Sequence, residues 1–186
     1  MTYPIIYLPG FNSGPQSEKS AVLLSAFPGL IAASYDTWDT NQGYQQIDSL
    51  IQTWLELNPI LVGSSLGGFW AYQFASKYNL RCVLVNPCMN PETTLQRYVG
   101  PVENFYTYEK GVFTEANLQQ FSQYRFAGEP VCAVLHEQGD ELIPYQESIE
   151  NFSGKARLIL PEGGNHRFEQ VQLIIDEINL MCGDHD

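Results

Sequence analysis

Six short stretches of the chain are built from β-forming residues: PIIYLP (4–9), LIAASY (30–35), PILVG (59–63), RCVLVN (81–86), VCAVLH (131–136) and ARLILP (156–161). Most are apolar at every position, not at every second one. Successive side chains of a strand point to opposite sides, so a strand with one wet face alternates. One that is apolar throughout must be covered on both faces, and such strands belong to parallel sheets. Helical spacing fills the intervals. YQQIDSLIQTWLEL sets Ile47, Leu50, Ile51 and Trp54 on one face, and RFEQVQLIIDEINLM does the same for Phe168, Val171, Ile174, Ile175, Ile178 and Met181. In SGPQSEKSAVLLSAF, Ser13 or Gly14 can cap a helix and Pro15 suits its first turn. The alternation predicts an α/β fold, with a doubly wound sheet and helices on both faces through right-handed crossovers.

The third apolar run stops at two adjacent serines, in ILVGSSLGGFWAY (60–72). GSSLG at 63–67 fits G-x-S-x-G, with a strand before it and a helix after it, which is the context a nucleophile elbow requires. In so sharp a turn, the residues two before and two after the nucleophile approach each other, and Gly63 and Gly67 meet that demand. Ser65 is centred between them, so it is the expected nucleophile, while Ser64 is expected to face away as a small spacer. The helix that follows aims its free N–H groups at Ser65, so the Leu66 N–H is a natural oxyanion donor. A second is expected from the loop LPGFNS after the first strand, where Gly10 admits close approach and Phe11 supplies the N–H.

A serine needs a base, and the base an orienting acid. Of three histidines, His185 lies within the last two residues and His136 ends the fifth strand. His166 sits in LPEGGNHRF, a glycine-rich loop after the sixth strand, and is the expected base. For the acid, QGDELIP follows the fifth strand. Asp140 is placed in a turn at the carboxyl edge, with Glu141 expected to face solvent. The order Ser65, Asp140, His166 is that of the α/β-hydrolases.

The 186 residues suffice for one domain. Residues 89–128 are too long for a plain crossover and rich in Tyr and Phe, and are expected to form a small lid-like insertion over the carboxyl edge; the alternative is a crossover helix with a decorated loop. The formal net charge of −12, with nine Lys plus Arg, argues against nucleic-acid and anionic-membrane binding. Cys82, Cys88, Cys132 and Cys182 show no CxxC or metal spacing, and the opening MTYPIIYLPGF lacks a basic flank. A cytoplasmic chain without metal or organic cofactor is expected.

The blocks YLPGFNSGPQSEKS, LVGSSLGGFWA, VNPCMNP, QGDELIPY and EGGNHRF resemble the small bacterial α/β-hydrolase esterases of the YqiA type, in register from residue 3 to about residue 178. The resemblance implies an α/β-hydrolase with a six-stranded sheet in the order 2-1-3-4-5-6. It also implies esterase or thioesterase activity on acyl substrates, with Ser65, Asp140 and His166 as the triad. Pro9 stands where that family usually has His before the first-loop glycine. Two other readings of the chain are a non-catalytic interaction module on a hydrolase scaffold and an enzyme that passes the acyl group to an acceptor other than water.

Overall fold

The computed structural model describes residues 3–183; His185 lies outside the described residues. Strands β1 (Ile5–Leu8), β2 (Ile31–Ala32), β3 (Ile60–Ser64), β4 (Arg81–Val85), β7 (Cys132–Leu135) and β8 (Arg157–Ile159) form one parallel sheet in the order β2-β1-β3-β4-β7-β8. Two further strands, β5 (Gly100–Glu103) and β6 (Lys110–Phe113), pair as a separate antiparallel hairpin. Numbered without that hairpin, the sheet has the expected order.

The continuous apolar runs have the expected cause. Ile6, Leu8, Leu61, Cys82, Leu84 and Val134 enter one core, while Ile5, Tyr7, Ile60, Val62, Val83 and Leu135 enter the other. Helices α2 (Thr40–Trp54) and α3 (Leu66–Tyr78) cover the first face through Ile47, Ile51, Trp70 and Phe74. Helices α1 (Glu18–Ala26) and α7 (Val171–Gly183) cover the second through Leu23, Ile174, Ile178 and Met181. α3 is central and buried nearly all round, which explains why its sequence shows no polar stripe.

Two helix starts differ from the sequence expectation. α1 is capped by Ser17, whose hydroxyl accepts from the Ser20 N–H at 3.2 Å, and Pro15 lies in the turn before it. α7 begins at Val171, and Phe168 is not on its face. Phe168 is buried from a loop, with a left-handed φ of 62°. β2 is reduced to two residues.

Between β4 and β7 the chain forms α4 (Pro91–Thr94), the β5–β6 hairpin and α5 (Glu115–Gln120). This segment rests on the loop after β1. The Phe105 N–H donates to Asn12 O at 2.9 Å, and the Asn104 side-chain amide donates to Ser13 O at 3.1 Å. The Phe11 ring meets those of Tyr98 and Phe113 at 5.4 and 5.0 Å. The remaining helix, α6 (Gln146–Phe152), precedes β8.

Candidate active site

β3 passes into α3 through a single residue, Ser65, with φ 55° and ψ −119°. A side chain at this φ costs roughly 1–3 kcal/mol and persists only where the surroundings impose it. Here they do. The Ser65 N–H donates to Val85 O at 2.9 Å, and Ser65 O accepts from the Cys88 N–H at 3.0 Å. A Cβ on Gly63 would stand 2.0 Å from Gly67 O, and one on Gly67 would stand 1.9 Å from Leu8 O. The turn can be this tight only because both are glycine. It leaves Ser65 half-buried at the carboxyl edge of the sheet, open to a cavity.

Three of the residues singled out in the sequence form one hydrogen-bonded chain. His166 Nε2 lies 3.0 Å from Ser65 Oγ, and His166 Nδ1 lies 2.8 Å from Asp140 Oδ2 and 3.0 Å from Oδ1. A carboxylate only accepts, so Nδ1 carries the proton and the Nε2 lone pair faces the serine hydroxyl. Burial pushes the Asp140 carboxyl up. Hydrogen bonds from His136 and His166, the His166 charge and the Ile143 N–H outweigh that and hold it well below the usual carboxylate range. Asp140 Oδ1 accepts from the Leu142 and Ile143 N–H groups, both at 2.9 Å, which closes the turn and aims the carboxylate.

His136 is fully buried and sits behind this acid. Its Nε2 lies 3.0 Å from Ile143 O and 3.3 Å from Asp140 Oδ2, and its Nδ1 lies 2.7 Å from Ser148 Oγ. Its ring thus meets the same Asp140 Oδ2 that faces His166 Nδ1.

Several supporting groups were not legible in the sequence. The fully buried Glu137 accepts from the Asn165 N–H at 2.8 Å through Oε2, and from the Glu169 and Gln170 N–H groups at 2.9 and 3.0 Å through Oε1. Asn86, also fully buried, accepts from the Glu137 N–H and donates to Asn165 O and His166 O at 3.0 and 3.1 Å. Together they clamp the loop that carries His166. Glu141 is exposed, as expected, but it also accepts from the His166 N–H at 3.0 Å. The only hint was position: polar residues closing apolar strands, in VNP and LHEQGD. Ser64 is not an idle spacer, since its hydroxyl accepts from Lys19 Nζ at 2.8 Å.

Leu66 and the loop that carries Phe11 flank Ser65. Leu66 is the first residue of α3, and Gly10 brings the Phe11 loop against the elbow; a Cβ on Gly10 would stand 3.3 Å from the Ser65 Cβ and 3.8 Å from its Oγ. Among the described residues neither the Leu66 nor the Phe11 N–H is taken up by a loop or turn carbonyl. The loop is fixed by Asn12, which has a left-handed φ of 56° and accepts from Trp38 Nε1 at 2.6 Å. The cavity in front of Ser65 measures about 560 Å³, and Phe11, Leu95, Tyr98, Phe105 and Ile143 contribute apolar surface to it.

This sheet order, with a serine at the turn after β3 and an imidazole in the loop after β8, defines an α/β-hydrolase fold. Mouse alpha/beta hydrolase domain-containing protein 10 superposes with a TM-score of 0.75 at 18% identity, over 97% of this chain and 90% of that one. A monoacylglycerol lipase from Paleococcus ferrophilus superposes with a TM-score of 0.66 at 14% identity, over 96% and 94% of the two chains. The chain belongs to the uncharacterised protein family UPF0227, whose model matches residues 4–182. The UPF0227 protein YcfP of Escherichia coli O9:H4 (strain HS) is 23% identical over 183 residues, covering 95% of this chain and 97% of that protein.

Proposed function

We propose that this protein is a serine hydrolase of carboxylic esters or thioesters, with Ser65 as nucleophile, His166 as base and Asp140 as the group that orients it. The carrying observation is the continuous hydrogen-bonded chain from Ser65 Oγ through His166 to Asp140, at 3.0 and 2.8 Å. His166 Nε2 takes the hydroxyl proton as Oγ attacks the acyl carbonyl, and Asp140 stabilises the imidazolium that forms. The oxyanion of the tetrahedral intermediate is met by the N–H groups of Phe11 and Leu66. His166 then passes its proton to the leaving oxygen or sulfur, the carbon–leaving-group bond breaks, and an acyl-enzyme on Ser65 remains. Water, deprotonated by the same imidazole, releases the acid and restores Ser65.

The partner is accordingly a small acyl ester or thioester, and the aromatic cavity lining suits an acyl or aryl group of modest size. The similar fold of a monoacylglycerol lipase from Paleococcus ferrophilus is consistent with this reading. Among the described residues no helix is long and apolar enough to cross a membrane. The four cysteines are unpaired, which fits a reducing compartment such as the cytoplasm. Ser65→Ala should lower turnover of a chromogenic short-chain ester by at least about a thousandfold. Undiminished turnover in that variant would exclude Ser65 as nucleophile.

A further inference from the structure

The block GFNSGPQSEKS ends on Lys19 and Ser20, and the hydrolytic chemistry uses neither. Lys19 begins the second residue of α1 and projects into the same cavity as Ser65. Its Nζ donates to Ser64 Oγ at 2.8 Å, and Ser64 is buried and immediately precedes the nucleophile. An ammonium has three N–H donors, and this bond uses one. Among the described residues no carboxylate lies within 4.0 Å of Lys19 Nζ. The contrast with Lys77 is direct: that ammonium, also partly covered, pairs with Asp48 at 2.7 Å. A cation drawn out of water and left without a counter-ion is costly, and one held so in a cleft gains by pairing with an anion there.

The surroundings agree with that chemistry. Burial pushes the Lys19 ammonium down to about 8, while the Glu137 and Asp140 carboxylates pull it the other way, so it remains mostly charged at neutral pH. The buried Tyr7 hydroxyl faces Ser64 and Ser17, and with Lys19 these form a polar end of the cavity on the α1 side of the sheet. The N-terminus of α1, capped by Ser17, opens onto the same end and adds a positive dipole. Arg97 and Arg167, both exposed, also line the cavity, so three of the nine cations of a chain with net charge −12 gather there. Two carboxylates, Glu18 and Glu141, share the lining. Both are exposed, and Glu141 already accepts from the His166 N–H.

We infer that Lys19 forms an anion subsite beside Ser65, so that the preferred ester or thioester carries an anionic group, a carboxylate or phosphate, that this ammonium binds. The inference rests on the serine-hydrolase reading and names the class of substrate for it. The anion can sit on the acyl portion or on the leaving group, and the test has an arm for each.

The acyl arm compares the 4-nitrophenyl half-ester of adipic acid with 4-nitrophenyl hexanoate. The leaving-group arm compares 3-carboxyphenyl hexanoate with phenyl hexanoate. In at least one arm the wild-type kcat/KM should favour the charged ester by about tenfold, the range of one charge-assisted hydrogen bond. In Lys19→Met that ratio should fall by about tenfold, and Lys19→Arg should keep part of it. A wild-type preference for the neutral ester in both arms would overturn the inference. So would an unchanged ratio in a folded Lys19→Met protein, even with both rates reduced, because that pattern belongs to a structural lysine. The wild-type ratios decide the matter alone if Lys19→Met does not fold. Failure of the wild type to turn over any of the four esters would instead strike the serine-hydrolase reading, and the subsite with it.

Discussion

The carboxylate of Glu137 holds the backbone that carries His166. It accepts three N–H groups from residues 165, 169 and 170 at 2.8–3.0 Å, from a position with no exposure to solvent. Gly164 makes this possible: its φ is 73°, and a Cβ there would stand 1.9 Å from Glu137 Oε2. The imidazole is thus located by a buried anion ligated by the main chain, and the freedom of a glycine-rich loop is removed where position matters.

Glu137→Gln keeps the shape but turns one acceptor oxygen into a donor facing backbone N–H groups. A buried donor left unsatisfied costs about 1–3 kcal/mol. Thermal denaturation should show a lower Tm. Since the displaced group is the proposed base, ester hydrolysis should lose about ten- to a hundredfold in kcat with little change in KM. A KM effect without a kcat effect would place Glu137 in substrate binding instead.

Gly67→Ala tests the elbow as a packing device. The added Cβ would stand 1.9 Å from Leu8 O and 2.6 Å from Pro9 O, both main-chain atoms of the neighbouring strand and loop. Neither can yield without moving β1 and its loop away from the start of α3. Overpacking of this kind costs about 1–3 kcal/mol or more, so the variant should denature at a markedly lower urea concentration than the wild type. A stability equal to wild type would mean the turn is looser than this.

Asp140 gives a pH signature. Its carboxyl is held below the usual range, against the effect of burial, by hydrogen bonds from His136 and His166. A depressed folded value means stability that is fully present above the unfolded value, near 3.9, and lost as pH falls through the folded one. Asp140→Asn lacks that contribution at every pH. The Tm gap between wild type and variant should therefore be present above the unfolded carboxyl value and close as the pH falls below it. A gap that widened on acidification would reverse the sign.

The sequence was most readable where one physical demand dominates. Strands buried on both faces leave uninterrupted apolar runs, and the close approach of Gly63 to Gly67 leaves only one spacing for the serine between them. Legibility failed where distant segments decide. The run RFEQV has helical spacing, but Glu137 draws the Glu169 and Gln170 N–H groups to itself, so α7 starts at Val171. Pro15 suits a first helical turn, yet Ser17 supplies the cap and α1 begins later. The β5–β6 hairpin alternates weakly, with only Val102 and Phe113 buried, so its strands left no clear period in the sequence. Ser64, Lys19, Asn86 and Glu137 act through partners 45 to 80 positions away or through a loop clamp, and no local pattern encodes that.

The central claim is that Ser65, not its neighbour, is the hydroxyl made reactive by His166. Incubation with a fluorophosphonate, followed by peptide mass spectrometry, reads this directly. The adduct should fall on Ser65, persist in Ser64→Ala and vanish in Ser65→Ala. An adduct on Ser64, or ester turnover that survives without any adduct on Ser65, would contradict it.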